Sequence, residues 1–390
     1  MWAKPTTLTT ANILPHGRTE DMVCNRICVS HFRNVEYAEV AFDEGVNVLA
    51  GANAQGKTNL LEAIFYTSIG KSFRTPHDED LIQFGAEFSE ISLDFTDSVR
   101  RQNLTVRMMA GKRRRIEQNR VKLSRVSDMV GQFRTVLFCP EHLSLIKEGP
   151  AERRNFLDVA ISQLYPLYLK SLQRYHQILK QRNQLIKKAN DDPKTFRDTV
   201  EFWSLQLAKE AAIITQYRHR YLNPISREMQ NCFAQMTEGG ETPQAIYRSS
   251  SGVTAEECEN TEYLEQVYTK LLTTRLDREI GAGSTLWGIH KDDVEILLNG
   301  ASARAYASQG QQRSLALAMK LAEGEVCNQI CGELPVFLFD DVFSELDATR
   351  RAYLSEKIKG RQVIITSCDP DCVKQGNLIL VKNGTYHRKV

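Results

Sequence analysis

Gly51-Ala52-Asn53-Ala54-Gln55-Gly56-Lys57-Thr58 is the stretch on which the fold turns. It satisfies G-x-x-x-x-G-K-[ST], the spacing of a loop whose backbone N–H groups cradle phosphates. In such a loop the lysine reaches the β- and γ-oxygens and the last hydroxyl ligates Mg²⁺. The flanks have the character this requires. Upstream, Val46-Asn47-Val48-Leu49 is an apolar run ending at a glycine, as a buried strand feeding a loop would be. Downstream, residues 59–70 place Leu60, Leu61, Ile64 and Phe65 on one helical face. Strand, glycine loop and helix predict an ATP site in which Gly51, Ala52, Asn53, Ala54, Gln55, Gly56, Lys57 and Thr58 surround the phosphates, with Lys57 the catalytic cation and Thr58 a Mg²⁺ ligand.

Two stretches far along the chain complete this chemistry. Pro335-Val336-Phe337-Leu338-Phe339-Asp340-Asp341 is an apolar strand ending in two carboxylates, a Walker B pattern. Asp340 is placed to hold Mg²⁺ and Asp341 to orient or deprotonate the attacking water, so both join Lys57 as catalytic residues. Upstream, Tyr306-Ala307-Ser308-Gln309-Gly310-Gln311 runs into an apolar helix from Leu315 to Leu321. Ser308, Gly310 and Gln311 resemble the ABC signature, which in that superfamily meets the γ-phosphate held by a second subunit. A helix N-terminus behind a glycine is an anion site in its own right. Ser344 and Asp347 resemble the D-loop. Thr366, after the strand from Gln362 to Ile365, stands where a switch histidine is usual, so a hydroxyl would sense the γ-phosphate. A signature element supplied from another copy implies an ATP-dependent homodimer of C₂ symmetry.

The rest of the chain sets the organisation. From Cys24 to Ala50 it reads strand, turn, strand, and 91–140 continues with strands. Between 151 and 285, Leu164, Tyr168, Leu172, Tyr175, Leu179 and Ile186, then Trp203, Leu207, Ile214, Tyr217 and Tyr221, recur at helical spacing around the turn at Asp191-Asp192-Pro193. The class is therefore α/β: an ABC-type P-loop ATPase head of mixed sheets and flanking helices, interrupted by a helical arm shaped as a short antiparallel coiled coil. The expected parts are an extension over 1–21, a head segment over 22–150, the arm over 151–285 and a second head segment over 286–390. Residues 1–21 lack the apolar core of a secretory signal and precede Met22, as a flexible extension or an upstream start would.

A net charge of +2 gives no molecule-wide basic field, so nucleic-acid contact has to be local. Asp97–Arg125 carries ten Lys or Arg against Asp97 and Glu117, either a solvated hairpin or a phosphate-backbone surface. Arg113, Arg114, Arg115 and Arg120 are its DNA-binding candidates. No run is long and apolar enough for a membrane helix, and a membrane partner is not expected. The nine cysteines are odd in number, with neighbours four apart rather than in CxxC pairs. Reduced structural thiols in a cytoplasmic protein fit that usage best, with metal or iron–sulfur binding the alternative.

Three stretches resemble the RecF family. Pro140-Glu141, Leu145-Ile146, Gly149-Pro150, Arg153-Arg154 and Phe156-Leu157-Asp158 follow one family pattern, with Glu148 where glycine is usual. Leu338-Phe339-Asp340 through Ser344-Glu345-Leu346-Asp347 and Arg350 follow a second. Gly288-Ile289-His290-Lys291-Asp292-Asp293 is similar to a third, with Ile289 in place of proline. The resemblance spans Met22 to the C-terminus. It implies ATP and Mg²⁺ as cofactors, dimerisation on DNA at duplexes or single-strand/double-strand junctions, and slow DNA-stimulated hydrolysis. It also implies recombinase delivery to gaps with RecR and RecO. A transporter ATPase would carry a smaller insert, and a chromosome tether a longer arm than the roughly 45–50 Å of two 30–35-residue helices. The rival of another class is a DNA clamp that binds ATP with negligible turnover; Asp341 separates the two.

Overall fold

The computed structural model describes residues 21–390 except 238, 374, 375 and 390, so the expected N-terminal extension lies, apart from Asp21, outside the described residues. The chain opens with β1 (Val23–Phe32), β2 (Val35–Ala41), β3 (Val46–Ala50) and α1 (Lys57–Ile69). Next come β4 (Phe88–Thr96), β5 (Arg101–Met109), β6 (Arg115–Gln118), β7 (Val121–Leu123) and β8 (Thr135–Phe138). The helical stretch holds α2 (Pro150–Leu164), α3 (Pro166–Lys187), α4 (Pro193–Met236), β9 (Pro243–Arg248), α5 (Thr261–Thr274) and α6 (Leu276–Ala282). The chain then runs through β10 (Asp293–Leu298), β11 (Ala301–Ser302), α7 (Ala303–Tyr306) and α8 (Gln309–Cys331). It closes with β12 (Val336–Asp340), α9 (Ala348–Lys357), β13 (Val363–Ser367), β14 (Asn377–Lys382) and β15 (Thr385–Arg388).

Two six-stranded sheets face each other across α1. One is antiparallel, in the order β2-β1-β4-β5-β6-β7; the other is β15-β14-β3-β13-β12-β8, parallel from β14 to β8. Its strands β3, β12 and β13 read as continuous apolar runs because helices or the other sheet cover both their faces. Helix α1 is buried along nearly its whole length, and Leu60, Leu61, Ile64 and Phe65 pack with Ile27, Leu93 and Leu338 in one core. A second core lies on the far side of the parallel sheet, where Phe337, Phe339 and Ile365 meet the apolar face of α8, including Leu315 and Met319, and residues of α2 and α4.

The arm differs from its expected outline. Its two main helices are unequal, 22 and 44 residues, and α4 runs on through Pro224 well past the periodic stretch ending at Tyr221. It persists because Ile225, Met229, Cys232, Phe233 and Met236 are buried, and packing outweighs the one backbone hydrogen bond that proline removes. The segment 151–285 is also not a self-contained helical insert. Strand β9 pairs antiparallel with β10 along Asp293–Leu298, and Arg153 of α2 makes a two-pronged ion pair with Asp293 at 2.8 and 3.0 Å. The start of α2, the end of α4 and β9 therefore belong to the head. The end of α3 and the start of α4 have a small core of their own, Ile186, Ala189, Phe196 and Val200, with Leu276 and Ile280 of α6 packed on it. This part is fastened by Arg182, wholly buried, which donates to Ser204 Oγ, Thr285 Oγ1, the Leu272 carbonyl and Glu279 at 2.6–3.0 Å.

Candidate functional site

Parallel pairing brings the predicted nucleotide residues to one edge. Asp340 sits opposite Thr366, Thr366 opposite Leu49 and Ser367 opposite Ala50, so the loop, the two carboxylates and the switch position leave the sheet together. Such a carboxyl edge is where open α/β sheets bind ligands.

Other parts of the chain hold the loop tightly. Gly51 N–H donates to the Ser367 carbonyl, and a Cβ on Gly51 would stand 2.3 Å from the Val381 carbonyl oxygen. Gly384 N–H donates to the Gln55 carbonyl at 2.9 Å, Asn383 N–H to Gln55 Oε1 at 2.7 Å, and the Tyr386 hydroxyl to the Gly56 carbonyl at 2.9 Å. The β14–β15 hairpin is therefore a clasp on the loop. Gly56, at φ 108°, precedes α1 without any side-chain cap, and the first turn carries no acid. That leaves the helix N-terminus open to an anion. Lys57 Nζ donates to the Gly51 and Ala52 carbonyls at 2.6 and 2.8 Å. Phosphate oxygens would give it charged acceptors in place of neutral ones.

The two residues expected to ligate Mg²⁺ are in contact. Thr58 Oγ1 donates to Asp340 Oδ1 at 2.8 Å, and Thr366 Oγ1 donates to the same oxygen at 2.7 Å. Burial pushes the Asp340 carboxyl above its ordinary range, against the pull of these two donors. A hydroxyl and a carboxylate at one spot, beside a phosphate cradle, is a hard-oxygen donor set suited to Mg²⁺. Asp341 is a non-glycine residue in the left-handed region, φ 50°, and its N–H donates to Thr366 Oγ1 at 2.9 Å and the Thr366 carbonyl at 3.2 Å. The turn swings its half-buried carboxylate off the strand line. Thr366 is thus wholly buried and joins both acidic residues, a different placement from a free γ-phosphate sensor.

Ser308, Gly310 and Gln311 lie elsewhere. Ser308 caps α8, accepting from Gln311 N–H at 3.2 Å while its own N–H donates to Gln311 Oε1 at 2.7 Å. Arg350 joins this helix start to the D-loop: it donates to the Gly310 carbonyl and to Ser314 Oγ, each at 2.7 Å, and pairs with Asp347. Ser344 Oγ donates to the Asp341 carbonyl at 2.7 Å. Among the described residues no hydrogen bond joins Ser308, Gly310 or Gln311 to residues 51–58.

The basic candidates divide. Arg114 is engaged internally, donating to the Tyr66 hydroxyl and the Gly70 carbonyl at 2.5 Å and pairing with Asp78 at 2.9 Å, so it leaves the set of DNA contacts. Arg115 pairs with Glu117 at 2.6 Å. Arg113 and Arg120 are exposed, and among the described residues no hydrogen bond or ion pair holds their side chains. Arg120 and Asn119, both at positive φ, form the two-residue turn between β6 and β7.

Some neighbours of the site have no motif to announce them. Glu141 and Arg74 are close enough for their charges to act on Asp340 in opposite senses. Cys368 Sγ lies 2.9 Å from Asn53 Oδ1 and 3.7 Å from Lys57 Nζ. Pro140-Glu141 follows an apolar run that pairs with β12, a signal the sequence does carry; Arg74 and Cys368 are placed by tertiary contacts alone.

A family profile described as RecF/RecN/SMC N terminal domain matches residues 23–386. The chain is 35% identical over 366 residues to the DNA replication and repair protein RecF of Ruminiclostridium cellulolyticum, covering 94% of this chain and 97% of that one. It is 36% identical over 369 residues to RecF of Staphylococcus carnosus, covering 93% and 99%. The chain belongs to the RecF family. A solved RecF-ATPrS structure, that of a recombination mediator protein in the RecFOR pathway, matches with a TM-score of 0.90 at 34% identity over 96% of this chain and 100% of that one. The likeness extends at fold level to an Smc head domain from Pyrococcus furiosus, TM-score 0.54 at 18% identity over 94% and 96%. The fold is thus that of an ABC-type P-loop ATPase head bearing a helical arm, as in RecF.

Proposed function

We propose that this chain is an ATP-dependent DNA-binding protein of recombinational repair and replication-fork maintenance, whose two ATP sites complete only when two copies meet head to tail. The observation that carries this reading is the separation of the signature from the phosphate loop. Ser308 is exposed at the start of α8 and Arg350 ties Gly310 of the same helix start to Asp347, with no link from Ser308 or Gly310 to residues 51–58 among the described residues. A second copy presenting Ser308 and the Gly310 N–H to the γ-phosphate would make ATP a bridge between subunits. Thr58 and Asp340 would hold Mg²⁺, which supplies charge neutralisation across the phosphates. Lys57 would steady the β- and γ-oxygens, and Asp341 would orient water for a slow, DNA-stimulated hydrolysis that releases the dimer. By similarity to its RecF relatives, it would work in the cytoplasm with RecR and RecO, loading recombinase at gaps in DNA.

The test is molecular mass in solution with and without ATP and Mg²⁺, for wild type, Lys57→Met and Ser308→Arg, with duplex DNA in a parallel series. ATP should convert the wild type from monomer to dimer and neither variant should respond. A Ser308→Arg protein that dimerises as readily as wild type would remove the composite site.

A further inference from the structure

The spacing predicts Thr366 as the γ-phosphate sensor, but the structure gives that hydroxyl another task. Thr366 is wholly buried, donating to Asp340 Oδ1 at 2.7 Å and accepting from Asp341 N–H at 2.9 Å. Ser367 is occupied as well: its carbonyl accepts from Gly51 N–H at 3.2 Å and its hydroxyl from Asp369 N–H at 3.0 Å. The next residue is the first whose side chain leaves β13 for the phosphate loop. The Cys368 thiol donates to Asn53 Oδ1 at 2.9 Å, and its sulfur accepts from Lys57 Nζ at 3.7 Å. Cys368 is exposed, whereas the other eight cysteines are buried or half-buried.

Position gives this thiol its chemistry. In a loop of this type the lysine is the cation that reaches the β- and γ-oxygens. The Lys57 ammonium has three acceptors, the Gly51 and Ala52 carbonyls at 2.6 and 2.8 Å and the Cys368 sulfur. None of them matches a phosphate oxygen, because charged acceptors make hydrogen bonds about twice as strong. An ammonium meets such an oxygen at about 2.7–2.9 Å. A sulfur 3.7 Å from the same ammonium is therefore within reach of the oxygens that the ammonium would grip. Strand β13 lies beside β12, whose end carries Asp340 and Asp341. Cys368 thus comes to Lys57 from the side of the carboxylates assigned to Mg²⁺ and the attacking water, which is the γ-phosphate side.

We propose that Cys368 contacts the terminal phosphate of ATP, its S–H turning from Asn53 Oδ1 to a γ-oxygen. It takes the place expected for Thr366 and is the side chain that tells ATP from ADP. A thiol is a weak donor, so its contribution is discrimination between the two nucleotides more than overall affinity. Bound ATP covers the sulfur; bound ADP leaves it open. The proposal rests on the reading of residues 51–58 as an ATP site and needs no second copy of the chain.

Alkylation of the full chain by iodoacetamide, followed at Cys368 by peptide mapping, tests the contact without relying on turnover. With Mg²⁺ and a non-hydrolysable ATP analogue at 100 times its dissociation constant, labelling of Cys368 should slow about 100-fold. ADP at the same saturation should leave most of the reactivity. The series is repeated with Ser308→Arg, at a concentration where sedimentation shows it monomeric, to separate cover by nucleotide from cover by another copy; the protection should persist. Equilibrium binding supplies a second measure. Cys368→Val should weaken the ATP analogue about three- to tenfold with ADP unchanged, and Cys368→Ser should restore wild-type affinity. Equal protection by ADP and the ATP analogue, labelling unmoved by either while both bind, or protection lost in the monomeric variant would each overturn the contact. Failure of wild type to bind either nucleotide would instead remove the ATP site, and the contact with it.

Discussion

Asp340 concentrates the chemistry of the site. Burial raises its carboxyl pKa, so ionisation opposes the fold: the stability this group lends is full below its unfolded value, near 3.9, and is lost as pH rises through the higher folded value. At neutral pH the nucleotide-free protein bears that loss, and a bound divalent cation would relieve it. Asp340→Asn keeps an acceptor for Thr58 and Thr366 but removes the charge. Calorimetry should show its unfolding midpoint without nucleotide at or above that of wild type, together with loss of the extra stabilisation by Mg²⁺ and ATP. A midpoint below wild type would mean that the carboxylate is needed for folding itself. Thr366 supplies one hydrogen bond to Asp340 and accepts another from Asp341 N–H. Thr366→Val should cost about 1–2 kcal/mol in denaturant unfolding and slow ATP turnover, with Thr366→Ser close to wild type.

At the scale of elements, the phosphate loop depends on a strand hairpin remote in sequence. An alanine Cβ at Gly51 would meet the Val381 carbonyl, backbone that cannot step aside. Gly51→Ala should destabilise the protein by about 1–3 kcal/mol and weaken ATP binding, both readable from thermal shifts with and without nucleotide. Helix α8 and the D-loop are joined through Arg350, which holds Gly310, Ser314 and Asp347 at once. Arg350→Ala should weaken ATP-driven self-association about tenfold in sedimentation while leaving ATP binding by the monomer intact; the factor corresponds to loss of about 1.4 kcal/mol of hydrogen bonding. An unchanged dimerisation constant would show that the signature holds its shape without the D-loop.

For the whole molecule, two features bear on the arm and on the proposed DNA surface. The Arg182–Glu279 pair is fully buried where α3, α4, α5 and α6 meet. Arg182→Ala should cost about 3–5 kcal/mol in urea unfolding by leaving a buried carboxylate unpaired, and adding Glu279→Leu should recover much of it. On the antiparallel sheet, replacing Arg113, Arg115 and Arg120 with alanine should weaken duplex binding and flatten its salt dependence, whereas Arg114→Ala should act on stability instead. An unchanged salt slope in the triple variant would move the DNA surface elsewhere. The contrast also shows what could be read in advance. The loop from Gly51 to Thr58, the strand into Asp340 and the helix after Ser308 were legible because each is local: a spacing, an apolar run and a cap lie within about ten residues of one another. Local sequence could not show that Arg114 turns inward onto Tyr66, that Thr366 bridges the Asp340 carboxylate and the Asp341 backbone N–H, or that β9 leaves the arm to pair with β10. Those outcomes depend on which distant groups burial brings within hydrogen-bonding reach, and only the closed tertiary structure fixes that. By itself the sequence determined the phosphate-loop motif and the α/β head; the tertiary structure decided where the arm begins and which of the clustered cations face solvent.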